Sequence, residues 1–193
     1  NIQWSPDEDK IAFTQTNNNR IDLFVVSLQT KKAVQINKTP LNDVIGNIFQ
    51  WVDNNTILYQ GTIAKPEMAP KKPLAPKGPT IQQNLGKVAA SVTYQDLIKS
   101  PYDEQLFEFY GTSQLIKNTN GTEVKISQPQ IFKSVEVSPD KQYILIEKIE
   151  KPFSYLVTAG GFNSTAYICD KTGKTISIIA KLPSRELAPT GYD

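Results

Sequence analysis

Phe24–Ile36 (FVVSLQTKKAVQI), Gln114–Ile126 (QLIKNTNGTEVKI) and Ala166–Ile178 (AYICDKTGKTISI) align without a gap over 13 residues. Each reads as a short apolar strand, a polar turn and a second strand. Asn120-Gly121 and Thr172-Gly173 supply turn residues suited to positive φ, and Thr30-Lys31 is the weaker copy. Behind the turn Val34, Val124 and Ile176 match, then Ile36, Ile126 and Ile178. A period of two puts each pair on one face of a hairpin.

Working outward, a second unit precedes each hairpin. Trp4-Ser5-Pro6-Asp7 leads to Ile11-Ala12-Phe13, and Val137-Ser138-Pro139-Asp140 leads to Ile144-Leu145-Ile146. The middle copy, Trp51-Val52-Asp53, is one residue shorter and leads to Ile57-Leu58-Tyr59. In Ser-Pro-Asp the proline presets φ, and the flanking Ser and Asp side chains can accept backbone N–H bonds. Each repeat is thus four antiparallel strands, which is a β-propeller blade. Trp4 and Trp51 lie 47 residues apart, within the ~40–50 of blade-type repeats. Trp51 and Val137 lie 86 apart, so the middle repeat carries about 39 extra residues.

The fold class is therefore all-β: about three four-stranded antiparallel blades of an incomplete, WD40-like propeller, with an insertion in the second. The expected division of 1–193 is blade 1 over about 1–46, blade 2 over about 47–131, blade 3 over about 132–183 and a lead-in at 184–193. The insertion is expected at about 61–112. Three blades cannot close a ring, and each blade buries its faces on neighbours, so two apolar faces are expected to lie open. The chain starts without a signal peptide or an initiator methionine, and both ends read as cut from something longer.

Composition narrows the function. The 193 residues hold 21 Lys+Arg against 19 Asp+Glu, which gives no electrostatic reason to expect nucleic acid or an anionic membrane. No apolar run approaches the ~18 residues of a membrane span, and Asp22 interrupts the densest stretch, Ile21–Leu28. The chain has no histidine, so no Ser-His-Asp or Cys-His arrangement can be assembled within it. G-x-S-x-G, P-loop and G-x-G-x-x-G motifs are missing too. Cys169 is the single cysteine and lies in an apolar run, so no internal disulfide or cysteine zinc site is expected, only a buried inert thiol. Neither catalytic residues, nor metal ligands, nor a cofactor site are assigned.

The insertion contains PKKPLAPKGP, with prolines at 70, 73, 76 and 79. Polyproline II has three residues per turn, so these share one edge of a rod. Such a rod serves as a stiff spacer or as a ligand for an SH3-like or WW-like groove. Thr93-Tyr94-Gln95-Asp96 and Ser100-Pro101-Tyr102-Asp103 each resemble a capping box, predicting two short helices. Leu106, Phe107, Phe109 and Tyr110 then supply an apolar face.

Several segments occur together in a familiar order: the Ser-Pro-Asp blades, Lys77-Gly78-Pro79, Thr93-Tyr94-Gln95-Asp96-Leu97, the run from Tyr102 to Tyr110, and Glu150-Lys151-Pro152-Phe153-Ser154-Tyr155. The combination resembles the N-terminal propeller of the glutamyl-endopeptidase-like branch of the prolyl oligopeptidase family, found in Bacteroidetes-type bacteria and plant chloroplasts. The resemblance implies a propeller that caps an α/β-hydrolase domain carrying the Ser, Asp and His of a peptidase. That catalytic domain of the same parent chain, and peptide substrates, are the implied partners. The propeller's implied role is to gate access to the chamber. Binding residues expected at the chamber wall or insertion are Tyr94, Asp96, Lys151, Phe153 and Tyr155, with Phe153 and Tyr155 alternatively filling an inter-blade core. Val92 and Ala159-Gly160-Gly161-Phe162 stand where the resemblance implies arginines. Neither valine nor glycine pairs a carboxylate bidentately, so no glutamate specificity is carried over. By analogy the protein is expected to be bacterial, periplasmic or secreted. The competing readings are a free-standing TolB-like binding propeller and an adaptor that works through its proline rod.

Overall fold

The computed structural model describes residues 1–64, 68–73 and 96–187. Among these residues twelve strands form three separate four-stranded antiparallel sheets. The first sheet is β1 (Ile2–Trp4), β2 (Lys10–Asn17), β3 (Arg20–Ser27) and β4 (Ala33–Gln35), in that order. The second is β5 (Phe49–Asp53), β6 (Thr56–Thr62), β7 (Ser113–Thr119) and β8 (Thr122–Lys125). The third is β9 (Phe132–Val137), β10 (Tyr143–Ile149), β11 (Ser164–Asp170) and β12 (Thr175–Leu182). Helix α1 (Pro101–Gly111) precedes β7. These are incomplete propeller blades, as the repeats imply.

The Ser-Pro-Asp turns are built alike. Ser5 Oγ accepts from the Lys10 amide (3.0 Å) and donates to Asp7 Oδ1 (2.6 Å). Ser138 Oγ accepts from the Tyr143 amide (2.9 Å) and donates to Asp140 Oδ1 (2.6 Å). The Ser hydroxyl, with backbone amides, holds both aspartates below the usual carboxylate range. In the middle copy Asp53 pairs directly with Thr56 across Asn54-Asn55, which accounts for the missing residue.

Strand register differs from the ungapped alignment. Val25, Lys117 and Ile168 face Ala12, Leu58 and Leu145, so these three are equivalent in space. The alignment pairs Val25 with Leu115 and Tyr167 instead. Its common point is the turn tip, and the turns differ in length: two residues join β7 to β8, five join β3 to β4 and four join β11 to β12. Bulges in β11–β12 absorb part of the offset.

Two clusters join the sheets. Ala12 and Leu23 of the first meet Phe49, Ile57, Tyr59 and Ile116 of the second. Leu58 and Leu115 of the second meet Phe132, Val135, Ile144, Ile146 and Cys169 of the third. Cys169 is 1% exposed, and burial, with Asp170 nearby, pushes its thiol pKa up to about 11. It is therefore protonated and unreactive at neutral pH.

The insertion is seen in part. Pro70 and Pro73 are in irregular chain, while Pro76 and Pro79 lie outside the described residues. Of the two expected helices, the second is α1, with Ser100 as N-cap and proline in the first turn. The start of the first, including Thr93, Tyr94 and Gln95, lies outside the described residues; Asp96–Lys99 is not helical. The Ser100 box closes differently from the standard pattern. Asp103 carries a side chain shorter than the usual Glu, and it accepts from the Lys99 amide (3.1 Å) and Ser100 Oγ (3.0 Å) rather than from the cap amide.

Candidate functional site

Helix α1 lies against one rim of the sheets, where three connections converge. Ile45 comes from the β4–β5 connection, Ile131 from β8–β9, and Phe153, Tyr155, Val157 and Phe162 from the β10–β11 loop. Phe107 is the helix's contribution. Its ring meets Phe153 edge-on at 4.9 Å and Phe162 edge-on at 5.5 Å, while Phe153 and Phe162 stack at 5.6 Å. Such pairings satisfy the quadrupoles of all three rings and fix the loop to the helix. Asn42 ties the first connection to the helix end by donating to the Tyr110 carbonyl at 2.9 Å.

The expected site residues fall around this buttress. Phe153 is buried within it. Lys151 pairs with Glu108 of α1 at 2.6 Å, both side chains half exposed. Its Nζ also stands 5.8 Å from the Phe153 ring centroid. Tyr155 is partly buried, and burial, then the neighbouring carboxylate of Glu104, raises its hydroxyl pKa. Asp96 is exposed on the approach to α1. Tyr94 and Val92 lie outside the described residues. The structure thus brings Lys151, Phe153 and Tyr155 to one rim, on the loop that α1 holds in place.

Polar groups at the blade joints were not singled out in the sequence. Glu123 of β8 reaches the connection leaving the first sheet. It accepts from the Lys38 and Thr39 amides, from Thr39 Oγ1 at 3.0 Å and from the Tyr59 hydroxyl at 2.7 Å. Burial pushes its carboxyl upward, but these donors outweigh it and hold the group below its ordinary value. Burial and Glu123 together push the Tyr59 hydroxyl far up. Asp22, which breaks the apolar run of β3, is buried with its own set of donors. Arg20 Nε stands at 2.7 Å, Gln35 and Asn17 at 3.1 Å, and Asn37 at 3.2 Å. Burial opposes ionisation, yet these donors leave its carboxyl below the usual range. Asn37, a glycosylation sequon in sequence, is buried inside this network.

A repeated staple links the leading strands. Gln3 of β1 donates to the Phe49 carbonyl of β5 at 2.9 Å, and Gln50 of β5 donates to the Val135 carbonyl of β9 at 2.9 Å. Trp51 returns a bond to the Gln3 carbonyl at 3.3 Å. The signal was present in Ile2-Gln3-Trp4 and Phe49-Gln50-Trp51, since Gln points to the opposite face from its two neighbours.

Wedge-shaped clefts remain between adjacent sheets. One, of about 380 Å³, is lined by Val34, Ile36, Trp51 and Asn118, with Lys10 at its edge. The other, of about 490 Å³, is lined by Ile126, Tyr167, Ile178 and Lys181. Among the described residues no group of three or more His, Cys, Asp or Glu could hold a metal ion, and no helix is long and apolar enough to cross a membrane.

In class, then, the described residues are a three-blade stretch of β-propeller. No protein-family model matches it. It is similar to the probable glutamyl endopeptidase, chloroplastic, of Oryza sativa subsp. japonica: 32% identical over 199 residues, taking in 97% of this chain and 21% of that protein. The Arabidopsis thaliana protein of the same name is 29% identical over 197 residues, taking in 97% of this chain and 20% of that protein. The chain thus spans about a fifth of the length of these curated relatives. Solved structures with the same fold include a TolB from Agrobacterium tumefaciens (TM-score 0.51, 8% identity, 94% of this chain and 48% of that one). An acylaminoacyl peptidase of Pyrococcus horikoshii aligns with TM-score 0.50 at 14% identity, over 94% of this chain and 24% of that one. The resemblance read from the sequence is borne out: along 97% of its length the chain corresponds to a stretch of proteins named glutamyl endopeptidase, and it has the propeller fold. Both curated relatives are named as chloroplastic plant proteins, so they lend no support to the expected bacterial periplasm.

Proposed function

We propose that this chain is a non-catalytic wall segment of the propeller of a serine endopeptidase, whose α/β-hydrolase domain lies elsewhere in the same polypeptide. The observation that carries this is the match along 97% of the chain to about a fifth of a glutamyl endopeptidase, in a chain that has no histidine. A stretch that cannot build a triad, yet keeps a peptidase's sequence throughout, serves substrate access rather than bond cleavage. The blade division given above, and the role of Lys151, Phe153 and Tyr155 at the chamber wall, belong to the same proposal. The α1 buttress supports it, since a rigid rim is what a gate needs in order to admit peptides and exclude folded proteins. Gating is the whole of the role proposed for this segment; specificity for glutamate is not part of it.

The test is the intact mass of the protein made from its native gene, followed by labelling with an active-site fluorophosphonate. A mass of about 75–90 kDa, with label on a serine outside this segment, is the expected result. A native mass near 21.5 kDa, or a long protein that takes no label, would overturn the peptidase reading. The second of these outcomes leaves a free-standing, TolB-like binding propeller.

A further inference from the structure

The three leading strands are equivalent in register. Gln3 lies opposite Ala12, Gln50 opposite Leu58, and Glu136 opposite Leu145. Directly opposed residues share a face, so this position points toward the following sheet in every copy. At both closed joints it holds a glutamine, whose amide donates to the carbonyl of the residue one step earlier in the next leading strand. In the third copy it holds Glu136, exposed and without a hydrogen-bond partner among the described residues. Around it the face is apolar and open: Leu145 is 39% exposed and Tyr143 46%, whereas Leu58, equivalent to Leu145 at the closed joint, is 1% exposed.

An ionised carboxylate only accepts. Set against the carbonyl that both earlier joints present, it would leave two acceptors facing each other out of water, which is costly. We infer that the face of β9 and β10 docks a further blade whose leading strand presents a lysine or arginine side chain to Glu136, in place of the carbonyl seen at the other joints. A cation converts the misfit into a charge-assisted bond. Continuity with the two closed joints, and the four-fifths of the relatives' length that this chain does not span, identify a blade as the occupant. The polarity switch also gives the joint a key, because a blade with only a carbonyl at that point is rejected. A second copy of this chain is such a blade: by the same register its Ile2 carbonyl would face Glu136.

This rests on the reading that the parent polypeptide contains more blades, and the test separates the two. In the full-length polypeptide from its native gene, Glu136→Gln keeps size and shape while restoring the staple of the other joints. If a cation faces Glu136, the substitution lowers Tm by about 2 °C or more. A higher Tm would show a carbonyl opposite, and an unchanged Tm a side chain left in solvent; either overturns the inference. Gln50→Glu calibrates the sign, since its partner is the Val135 carbonyl and it must destabilise. Carbodiimide labelling of carboxyls on the unmodified protein gives an independent readout. Glu136 should be protected relative to Glu8, and equal labelling refutes docking. A full-length mass with a neutral Glu136→Gln sinks this inference alone, whereas a native mass of 21.5 kDa sinks the peptidase reading.

Discussion

Replacing Gly173 with alanine separates two costs that a propeller joint imposes on one residue. Gly173 sits in the β11–β12 turn at φ +91°, and a Cβ there would collide with the Ile126 carbonyl, with the Ile126 carbonyl carbon 2.6 Å away. Ile126 directly follows β8 of the neighbouring sheet, so the collision is backbone against backbone across the joint and no rotamer can relieve it. The conformational part costs about 1–2 kcal/mol for an L residue in left-handed space. Pushing the hairpin off its neighbour adds about 1–3 kcal/mol, as overpacking does elsewhere. At 2–4 °C per kcal/mol for a chain of this size, Gly173→Ala should lower Tm by about 4–20 °C. Gly121 is the internal control: it occupies the equivalent turn of the second sheet at φ +84°, with nothing within 4 Å of its would-be Cβ. Gly121→Ala should therefore cost only the conformational part, about 2–8 °C. Thermal melts followed by near-ultraviolet circular dichroism decide the matter. If the two variants melt within about 1 °C of each other, the turn does not abut Ile126 and the packing of sheet three on sheet two is wrong.

Glu123 makes stability depend on pH in a defined direction. Its folded pKa is depressed, so the stabilisation is present above its unfolded pKa of ~4.3 and is lost as pH falls through the folded value. Glu123→Gln should therefore melt roughly 3–10 °C below the parent at pH 7, with the gap closing toward pH 3; a pH-independent gap would contradict the network. On the rim, Phe153→Ala should cost about 3–5 kcal/mol by removing the centre of a three-ring cluster. Lys151→Ala should cost about 1 kcal/mol or less, since its ion pair is half exposed. Urea unfolding of both variants checks this, and equal losses would show that Phe153 is not packed.

The fold was legible because blade sequences repeat their turn chemistry. Ser5 and Ser138 must cap the same tight turn, and Asn120 and Gly121 both take positive φ, so these positions are fixed locally and show in the sequence. Strand register was less legible. It depends on how many residues each turn consumes and on bulges in β12, which the ungapped alignment could not separate from the strands. The rim residues were found only in part. Lys151, Phe153 and Tyr155 lie together in sequence, but Phe107 and Phe162 join them through contacts across some 46 and 9 residues. Glu123 and Asp22 looked like ordinary strand polar residues, and only burial beside convergent donors distinguishes them.

The distribution of polar groups argues for what each joint does. Between the first and second sheets the apolar core is reinforced by Gln3, Trp51 and the Glu123 hub. Between the second and third, Gln50 remains, but Val137 replaces the tryptophan and its indole bond is lost. The second joint has directed ties of its own besides Gln50: Lys117 donates to the Lys171 carbonyl, Gln130 donates to the Tyr167 hydroxyl, and the α1 buttress closes the rim. Hydrophobic contact is non-directional and tolerates small sliding, whereas directed bonds fix an angle.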